Sequence, residues 1–245
     1  MRIAIVIPAR LGSSRLPRKP LANICGKPMI RHVVERCNQA PLADNVFVLT
    51  DSQQIIDEVH SWNGKAVMTP ENCMTGTDRC AAFAKETDFD YFVNVQGDEP
   101  LLDPNDLNKM IERASANPNA VLNGYAEITS EADFVSPHIP KVVFSPSGNL
   151  LYMSRSPIPG NKLNQFQLGY RQICIYGFPR QALLDFAAFE NKTPLEAIED
   201  IEILRFLEMD RGVQMIELSG NSIAVDRPED LEAVKKKVNE RENTQ

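Results

Sequence analysis

Histidine is scarce in this chain, with three residues in 245, at positions 32, 60 and 138. None lies near another histidine or a cysteine at metal-ligand spacing, which argues against a histidine-based zinc site and against a serine–histidine triad. The cysteines, Cys25, Cys37, Cys73, Cys80 and Cys174, are odd in number, scattered, and without a Cys-x-x-Cys pair. Reduced thiols in a cytoplasmic protein fit that usage best. Long hydrophobic runs are missing as well. No apolar stretch approaches the roughly 20 residues that span a bilayer. The run behind Met1-Arg2 stops at Pro8, too short for a signal-peptide core, so no membrane partner is expected. Basic charge is in deficit: the formal net charge is −7, whereas nucleic-acid binders present a broad basic face. An enzyme built from this chain must do its electrostatic work with carboxylates, lysine and arginine.

The positive charge that exists concentrates near the start. Ile3 to Ile7 is an apolar, β-branched run that reads as a buried strand. The loop after it carries Arg10, Arg15, Arg18 and Lys19 around Gly12, Ser13 and Ser14. Main-chain N–H groups of a Gly/Ser loop approach an anion closely and fixed cations neutralise it, so the segment reads as a phosphate cradle. It matches neither a Walker A loop nor a GxGxxG fingerprint. The alternative is a solvated basic loop after an edge strand.

The length allows one large core, or one core with a smaller lobe, and 43% hydrophobic with 24% charged residues is ordinary for a globular protein. The first half alternates strand and helix signals: strands over 3–7, 45–50, 65–68 and 91–95, helices over 28–39, 52–62, 77–86 and 104–116. That order implies an α/β fold with a mainly parallel, Rossmann-like sheet and helices on both faces. Ligands of such sheets bind at the carboxyl ends of strands, where the cationic loop and Gln96-Gly97-Asp98-Glu99-Pro100 both fall. The second half is less regular. Strands read at 120–127, 141–144, 150–153, 172–178 and 213–218, with helices near 179–189 and 194–210 and a final amphipathic helix opened by Val225-Asp226. The charged tail over 235–245 reads as frayed. One domain over 1–245 is expected, with about 120–178 forming an irregular, β-rich part suited to a polar co-substrate and a dimer contact.

Asp98 and Asp226 each follow a short apolar run, and two carboxylates at strand ends suit Mg²⁺, which takes one or two protein oxygens plus phosphate and water. Helix capping is the alternative for each, stronger for Asp226 ahead of Arg227-Pro228. Thr75-Gly76-Thr77-Asp78-Arg79 reads as an anion- or base-contacting turn, or as an ordinary cap. Asp51 reads as the cap of the helix after it. Arg155 and the segment Tyr170-Arg171-Gln172 to Tyr176 offer cations and hydroxyls to a polar co-substrate. Glu196, Glu199, Asp200 and Glu202 crowd one helix, which alone reads as a solvated acidic stripe.

Taken together, the motifs resemble the sugar-acid cytidylyltransferases of the CMP-Kdo synthetase family, Kdo being 3-deoxy-manno-octulosonate. The resemblance is nearly full-length. It rests on Ile7-Pro-Ala-Arg10 with Ser13-Ser-Arg-Leu-Pro-Arg-Lys-Pro20, on Gly26-Lys-Pro-Met-Ile30, on Thr75 to Arg79 and on Asn94 to Pro100. Tyr152-Met-Ser-Arg155, Ile175-Tyr-Gly177, Pro194-Leu-Glu196 and Val225-Asp226 with Pro228-Glu-Asp-Leu231 complete it. It implies a nucleotide-diphospho-sugar-transferase type fold with a β extension used for homodimerisation. It implies a reaction of CTP with an acidic 3-deoxy-octulosonate sugar that yields a CMP-sugar and pyrophosphate, for lipopolysaccharide. It also implies roles. Arg10, Gly12, Ser13 and Lys19 would hold the triphosphate, and Gly76, Arg79 and Gln96 the cytidine side. Asp98 and Asp226 would hold Mg²⁺, Arg10, Lys19 and Asp98 would carry the chemistry, and Arg155, Gln172, Tyr176, Glu196 and Glu202 would face the sugar.

Three positions depart from the family pattern. Arg18 replaces a glycine and is expected to add a cation near the phosphates. Gln172 replaces a histidine and Ile203 a glutamine, while Asp200 adds an acid. Lost donors on the sugar side point to a modified sugar, with the 8-amino-3,8-dideoxy analogue favoured slightly over Kdo because an ammonium suits the acid-rich helix. A cytidylyltransferase for another acid sugar, such as a sialic acid, and a non-catalytic nucleotide-sugar binder are the competing readings.

Overall fold

Strand β1 (Ile3–Ala9) sits in the middle of a large sheet, buried on both faces. A computed structural model describes residues 1–12, 16–41, 45–163 and 165–242, with the side chain of residue 242 left aside. After β1 come a single 3₁₀ turn (Lys19–Leu21), the short hairpin β2 (Asn23–Ile24) and β3 (Lys27–Pro28), then α1 (Met29–Cys37). The alternation continues with β4 (Val46–Thr50), α2 (Gln53–Ser61), β5 (Ala66–Met68), α3 (Gly76–Lys85), β6 (Tyr91–Val95) and α4 (Pro104–Ala116). Then follow β7 (Val121–Glu127), α5 (Glu131–Val135), β8 (Lys141–Phe144), β9 (Leu150–Ser154) and the long β10 (Tyr170–Pro179). The last elements are α6 (Arg180–Phe186), α7 (Pro194–Glu199), α8 (Ile203–Glu208), β11 (Val213–Glu217) and α9 (Pro228–Glu242).

The central path runs β11-β7-β10-β6-β1-β4-β5. Pairings of β1 with β4 and β6, of β4 with β5 and of β7 with β11 are parallel, whereas β10 runs antiparallel to both β6 and β7. The fold is therefore mixed α/β around a mostly parallel sheet, with β10 as the one reversed strand of that path. The hairpin of β8 and β9 hangs from the outer end of β10. The strands expected over 141–144 and 150–153 form this hairpin, whereas those expected over 120–127 and 172–178 belong to the central path.

Alternation along β1 explains why the run reads as buried. Ile3, Ile5, Ile7 and Ala9 join one core with α1, α2 and α4, while Ala4 and Val6 join the opposite core with α3, α6 and α8. Each fully buried branched side chain contributes about 1.5–3 kcal/mol relative to exposure. Pro8 does not stop the strand. Pairing with β6 has ended at Val6–Asn94, and Pro8 and Ala9 continue against Leu49 and Thr50 of β4 alone. The helix expected over 194–210 is two helices. Asp200 takes a left-handed backbone conformation, φ 52°, which ends α7 and redirects the chain before α8. The charged tail is helical as far as residue 242, because Val234 and Val238 of α9 pack with Ile24, Met29 and Leu101 in a third small core.

Candidate active site

The carboxyl ends of β1 and β6 open onto a cleft of about 620 Å³. Arg10, Gly12, Lys19, Gly76, Arg79, Gln96, Asp98, Glu202 and Asp226 all line it, so one cavity gathers most of the residues named from the sequence. Ser13 lies outside the described residues. Gly97 lets β6 approach β1: a Cβ there would stand 3.0 Å from the Pro8 carbonyl oxygen, and a methyl group would push the two cleft walls apart.

Lys19 is the electrostatic centre. Its ammonium donates to Asp98 Oδ2 at 2.5 Å and to Asp226 Oδ1 at 3.1 Å. Burial alone would lower the lysine pKa, but attraction to Asp98 and then to Asp226 outweighs it and holds the group above its ordinary value. The two carboxylates are brought together by backbone as well: Val225 N–H donates to the Asp98 carbonyl at 2.9 Å. At the start of α9 the amides of Asp226 and Arg227 donate to Asp230 Oδ2 at 3.0 and 2.8 Å. Hard carboxylate oxygens flanking a cation are what Mg²⁺ requires from a protein, and the ammonium bridging them marks the spot as cation-binding. Among the described residues no cluster of three or more His, Cys, Asp or Glu side chains could hold a metal.

Glu99, beside Asp98, has a buried Oε2 with no hydrogen-bond partner. Burial, and then the neighbouring Asp98 charge, push its carboxyl up to about 7, with Arg171 and Lys19 opposing.

On the base side, Thr75 caps α3 in a reciprocal box with Asp78. Arg79 lines the cleft, yet its guanidinium is tied down within the protein. It pairs with Asp51 at 2.6 Å and donates to Thr69 Oγ1, and the residue is 3% exposed. Asp51 is thus an ion-pair partner, and Ser52 takes the N-cap position of α2. Arg18 adopts φ 57°, the conformation that a glycine takes without steric cost. Its side chain reaches out to Gln54 at 3.2 Å and is absent from the cleft wall.

The residues expected around the sugar separate into two groups. Glu202 lines the cleft, and its Oε2 accepts from the Thr77 amide at 2.8 Å, joining the sugar side to the start of α3. Arg155 stands just behind the wall. Its guanidinium donates to the main-chain carbonyls of Glu199, Pro137 and Asp200, so it braces the turn that presents Asp200. The other three are placed elsewhere. Glu196 is 0% exposed and holds the equally buried Arg205 through two bonds of 2.6 and 2.7 Å. Arg205 also reaches Asp78 at 3.3 Å and lies 3.7 Å from the Phe186 ring centroid. Tyr176 is buried in the core, parallel to Phe178, and burial lifts its phenol well above the usual range. Gln172 donates to Asn123 Oδ1 at 2.9 Å beside a β-bulge in β10. Ile203 is a core residue at 1% exposure. The expectation that Gln172 and Ile203 choose the sugar is therefore revised. The polar wall at that end is Lys192, Asp200 and Glu202, with Lys192 Nζ 2.6 Å from Asp200 Oδ1. Nothing in the local sequence marks Lys192, which precedes Thr193-Pro194 in a loop.

Residues 4–215 match the family described as cytidylyltransferase. A protein of Trichlorobacter lovleyi named 3-deoxy-manno-octulosonate cytidylyltransferase is 40% identical over 250 residues, covering 97% of this chain and 99% of the relative. The chain belongs to the 3-deoxy-manno-octulosonate cytidylyltransferase family. Within it, a Shewanella protein named 8-amino-3,8-dideoxy-manno-octulosonate cytidylyltransferase is also 40% identical, over 94% of this chain and 96% of its own length. Among solved structures, a CMP:2-keto-3-deoxy-manno-octonic acid synthetase complexed with CTP superposes with a TM-score of 0.92. It is 34% identical, and the match covers 98% of this chain and 100% of that one. The chain therefore has the cytidylyltransferase fold and is an enzyme of the cytidylyltransferase type.

Proposed function

We propose that this cytidylyltransferase activates an acidic 3-deoxy-octulosonate sugar with CTP, giving the CMP-sugar and pyrophosphate, with Mg²⁺ as cofactor. The observation that carries the reading is the Asp98–Lys19–Asp226 constellation at the open end of β1 and β6. Lys19 and the exposed Arg10 sit where triphosphate charge must be neutralised, and their positive charge favours the pyrophosphate as it leaves. Gly76 and Gln96 border the nucleoside side, while the tie between Arg79 and Asp51 keeps that wall rigid. Asp98 and Asp226 would hold the divalent cation, which when bound screens the phosphates and orients the reacting oxygens. The sugar hydroxyl attacks the α-phosphorus in line with the departing pyrophosphate. Such a displacement depends on positioning and charge neutralisation rather than on a protein nucleophile, which suits a histidine-poor chain. No helix among the described residues is long and apolar enough to cross a membrane. The free thiols suit a cytoplasmic enzyme that supplies lipopolysaccharide synthesis.

For the sugar, relatives named for Kdo and for its 8-amino analogue are both 40% identical, and the cleft wall supports the amino sugar. Asp200 presents a carboxylate that is 71% exposed, and Lys192 holds it below its ordinary pKa. An ammonium on the sugar would share or replace the Lys192 contact, which favours the amino sugar. We expect kcat/KM for the 8-amino sugar to exceed that for Kdo by about tenfold, the worth of one well-placed polar contact, and Asp200→Asn to erase the difference. Pyrophosphate release with each sugar is the measurement, and faster turnover of ordinary Kdo overturns the amino-sugar reading.

The proposal extends to a homodimer. Leu151 in β9 and Leu163 and Leu168 in the segment leading to β10 are 63%, 72% and 48% exposed, apolar surface that a partner subunit would cover. Light scattering should give twice the chain mass, and a monomer at micromolar concentration would remove the dimer from the proposal.

A further inference from the structure

Lys19 has one ammonium for two duties. The proposed reaction gives that ammonium to the triphosphate, yet in the structure it lies between Asp98 and Asp226, at 2.5 and 3.1 Å from their oxygens. Those carboxylates are the ones assigned to the divalent cation. A magnesium ion needs its oxygens at about 2.0–2.1 Å in near-octahedral array, whereas Asp98 Oδ2 and Asp226 Oδ1 are turned toward the lysine nitrogen.

We infer that Lys19 is a resident surrogate cation, which keeps the carboxylate pair closed until a nucleoside triphosphate draws the ammonium away and so admits the divalent metal. The inference rests on the proposed roles of Asp98, Asp226 and Lys19. The local geometry supports it. Lys19 opens a 3₁₀ turn whose backbone is fixed by Leu21 N–H to Arg18 O and by Ala22 N–H to Lys19 O. The long side chain can therefore swing while the turn stays in place. Its swing space is the cleft, which Lys19 and Arg10 line together. Charge balance runs the same way. Two facing carboxylates without a cation repel each other, so the empty enzyme gains from holding the lysine there. The incoming triphosphate then offers the lysine a better partner, and the vacated pair accepts the dication that the triphosphate also needs. Such coupling is reciprocal: whatever factor nucleotide adds to metal affinity, metal adds to nucleotide affinity.

Binding of Mn²⁺ to the full-length enzyme, followed by electron paramagnetic resonance, tests this without turnover. A non-hydrolysable α,β-methylene analogue of CTP serves as nucleotide, with the free analogue's own Mn²⁺ binding subtracted. The wild type is expected to bind Mn²⁺ at least about tenfold more weakly without the analogue than with it. Lys19→Met should bind Mn²⁺ at least about tenfold more tightly than wild type without the analogue, and gain little more when it is added. Lys19→Arg, which keeps the charge, should stay weak. Arg10→Gln removes a cation of the same cleft that forms no ion pair with either carboxylate, and should shift Mn²⁺ affinity less than about threefold. Thermal melting of each variant checks that it is folded. Equal wild-type affinity with and without the analogue overturns the inference, as does a Lys19→Met enzyme no tighter than Arg10→Gln. Asp98→Asn and Asp226→Asn separate the two levels. If they leave Mn²⁺ binding by the nucleotide-loaded enzyme unchanged, the metal assignment itself fails. If they weaken it while Lys19→Met does not tighten the empty site, only the surrogate role fails.

Discussion

Asp98→Asn is expected to lower the rate of pyrophosphate release by about 10²–10³-fold at saturating CTP and sugar, with little change in fold. The substitution keeps shape but turns one acceptor oxygen into a donor and removes a full negative charge from the point where Lys19 is held and where the proposed divalent cation would bind. Losing one preorganised electrostatic contact of this kind costs about that factor in other active sites. The fold should tolerate it, because the backbone link from Val225 N–H to the Asp98 carbonyl does not involve the side chain. Steady-state assays across a range of Mg²⁺ concentrations, alongside circular dichroism, provide the check. A Mg²⁺-dependent activity that survives Asp98→Ala would remove Asp98 from the metal site.

Arg205→Met is expected to produce the largest loss of stability of any substitution considered, about 3–5 kcal/mol. Arg205 and Glu196 are both 0% exposed and joined by two short bonds. Removing one member strands the other as a buried charge, which is far costlier than the pair itself is stabilising. For a chain of this length that is a fall in Tm of roughly 6–20 °C. The double variant Glu196→Met, Arg205→Met should recover much of the loss, since apolar replacements of a buried pair are often nearly neutral. Differential scanning calorimetry of the two single variants and the double variant decides it. A loss under about 1 kcal/mol for Arg205→Met would mean that water or rearrangement compensates the charge. Arg205 also contacts Asp78, which completes the cap on Thr75, so weaker nucleotide binding should accompany the lost stability.

The buried strands β1 and β6 and the loops at their carboxyl ends were legible because apolar runs, glycine and clustered charge are local signals. The carboxylate pair was legible for the same reason: Asp226 directly follows an apolar residue and Asp98 stands three residues past the end of β6. Burial of charge was not. The family resemblance put Arg79 at the cytidine and Glu196 at the sugar. What retires their charged groups from the cleft is a partner, Asp51 for one and Arg205 for the other, and pairing depends on packing rather than on spacing. The break after α7 was hidden for another reason. Acidic residues continued at helical intervals through Asp200, and only its left-handed backbone ends the helix. The break matters, because it turns Asp200 into a wall of the cleft instead of one more acid on a solvated face. Arg18 shows the converse case. The substituted glycine was visible, but its consequence is a backbone held at φ 57° and a side chain directed at Gln54, not an added phosphate ligand.

The late arrival of Asp226 has a consequence for biosynthesis. It meets Lys19 across 207 residues of sequence, and its position depends on α9 docking against Ile24, Met29 and Leu101. A nascent chain that has already paired every strand through β11 still carries half of its cation site. The Lys19–Asp226 contact should therefore form last, when α9 docks on Ile24, Met29 and Leu101.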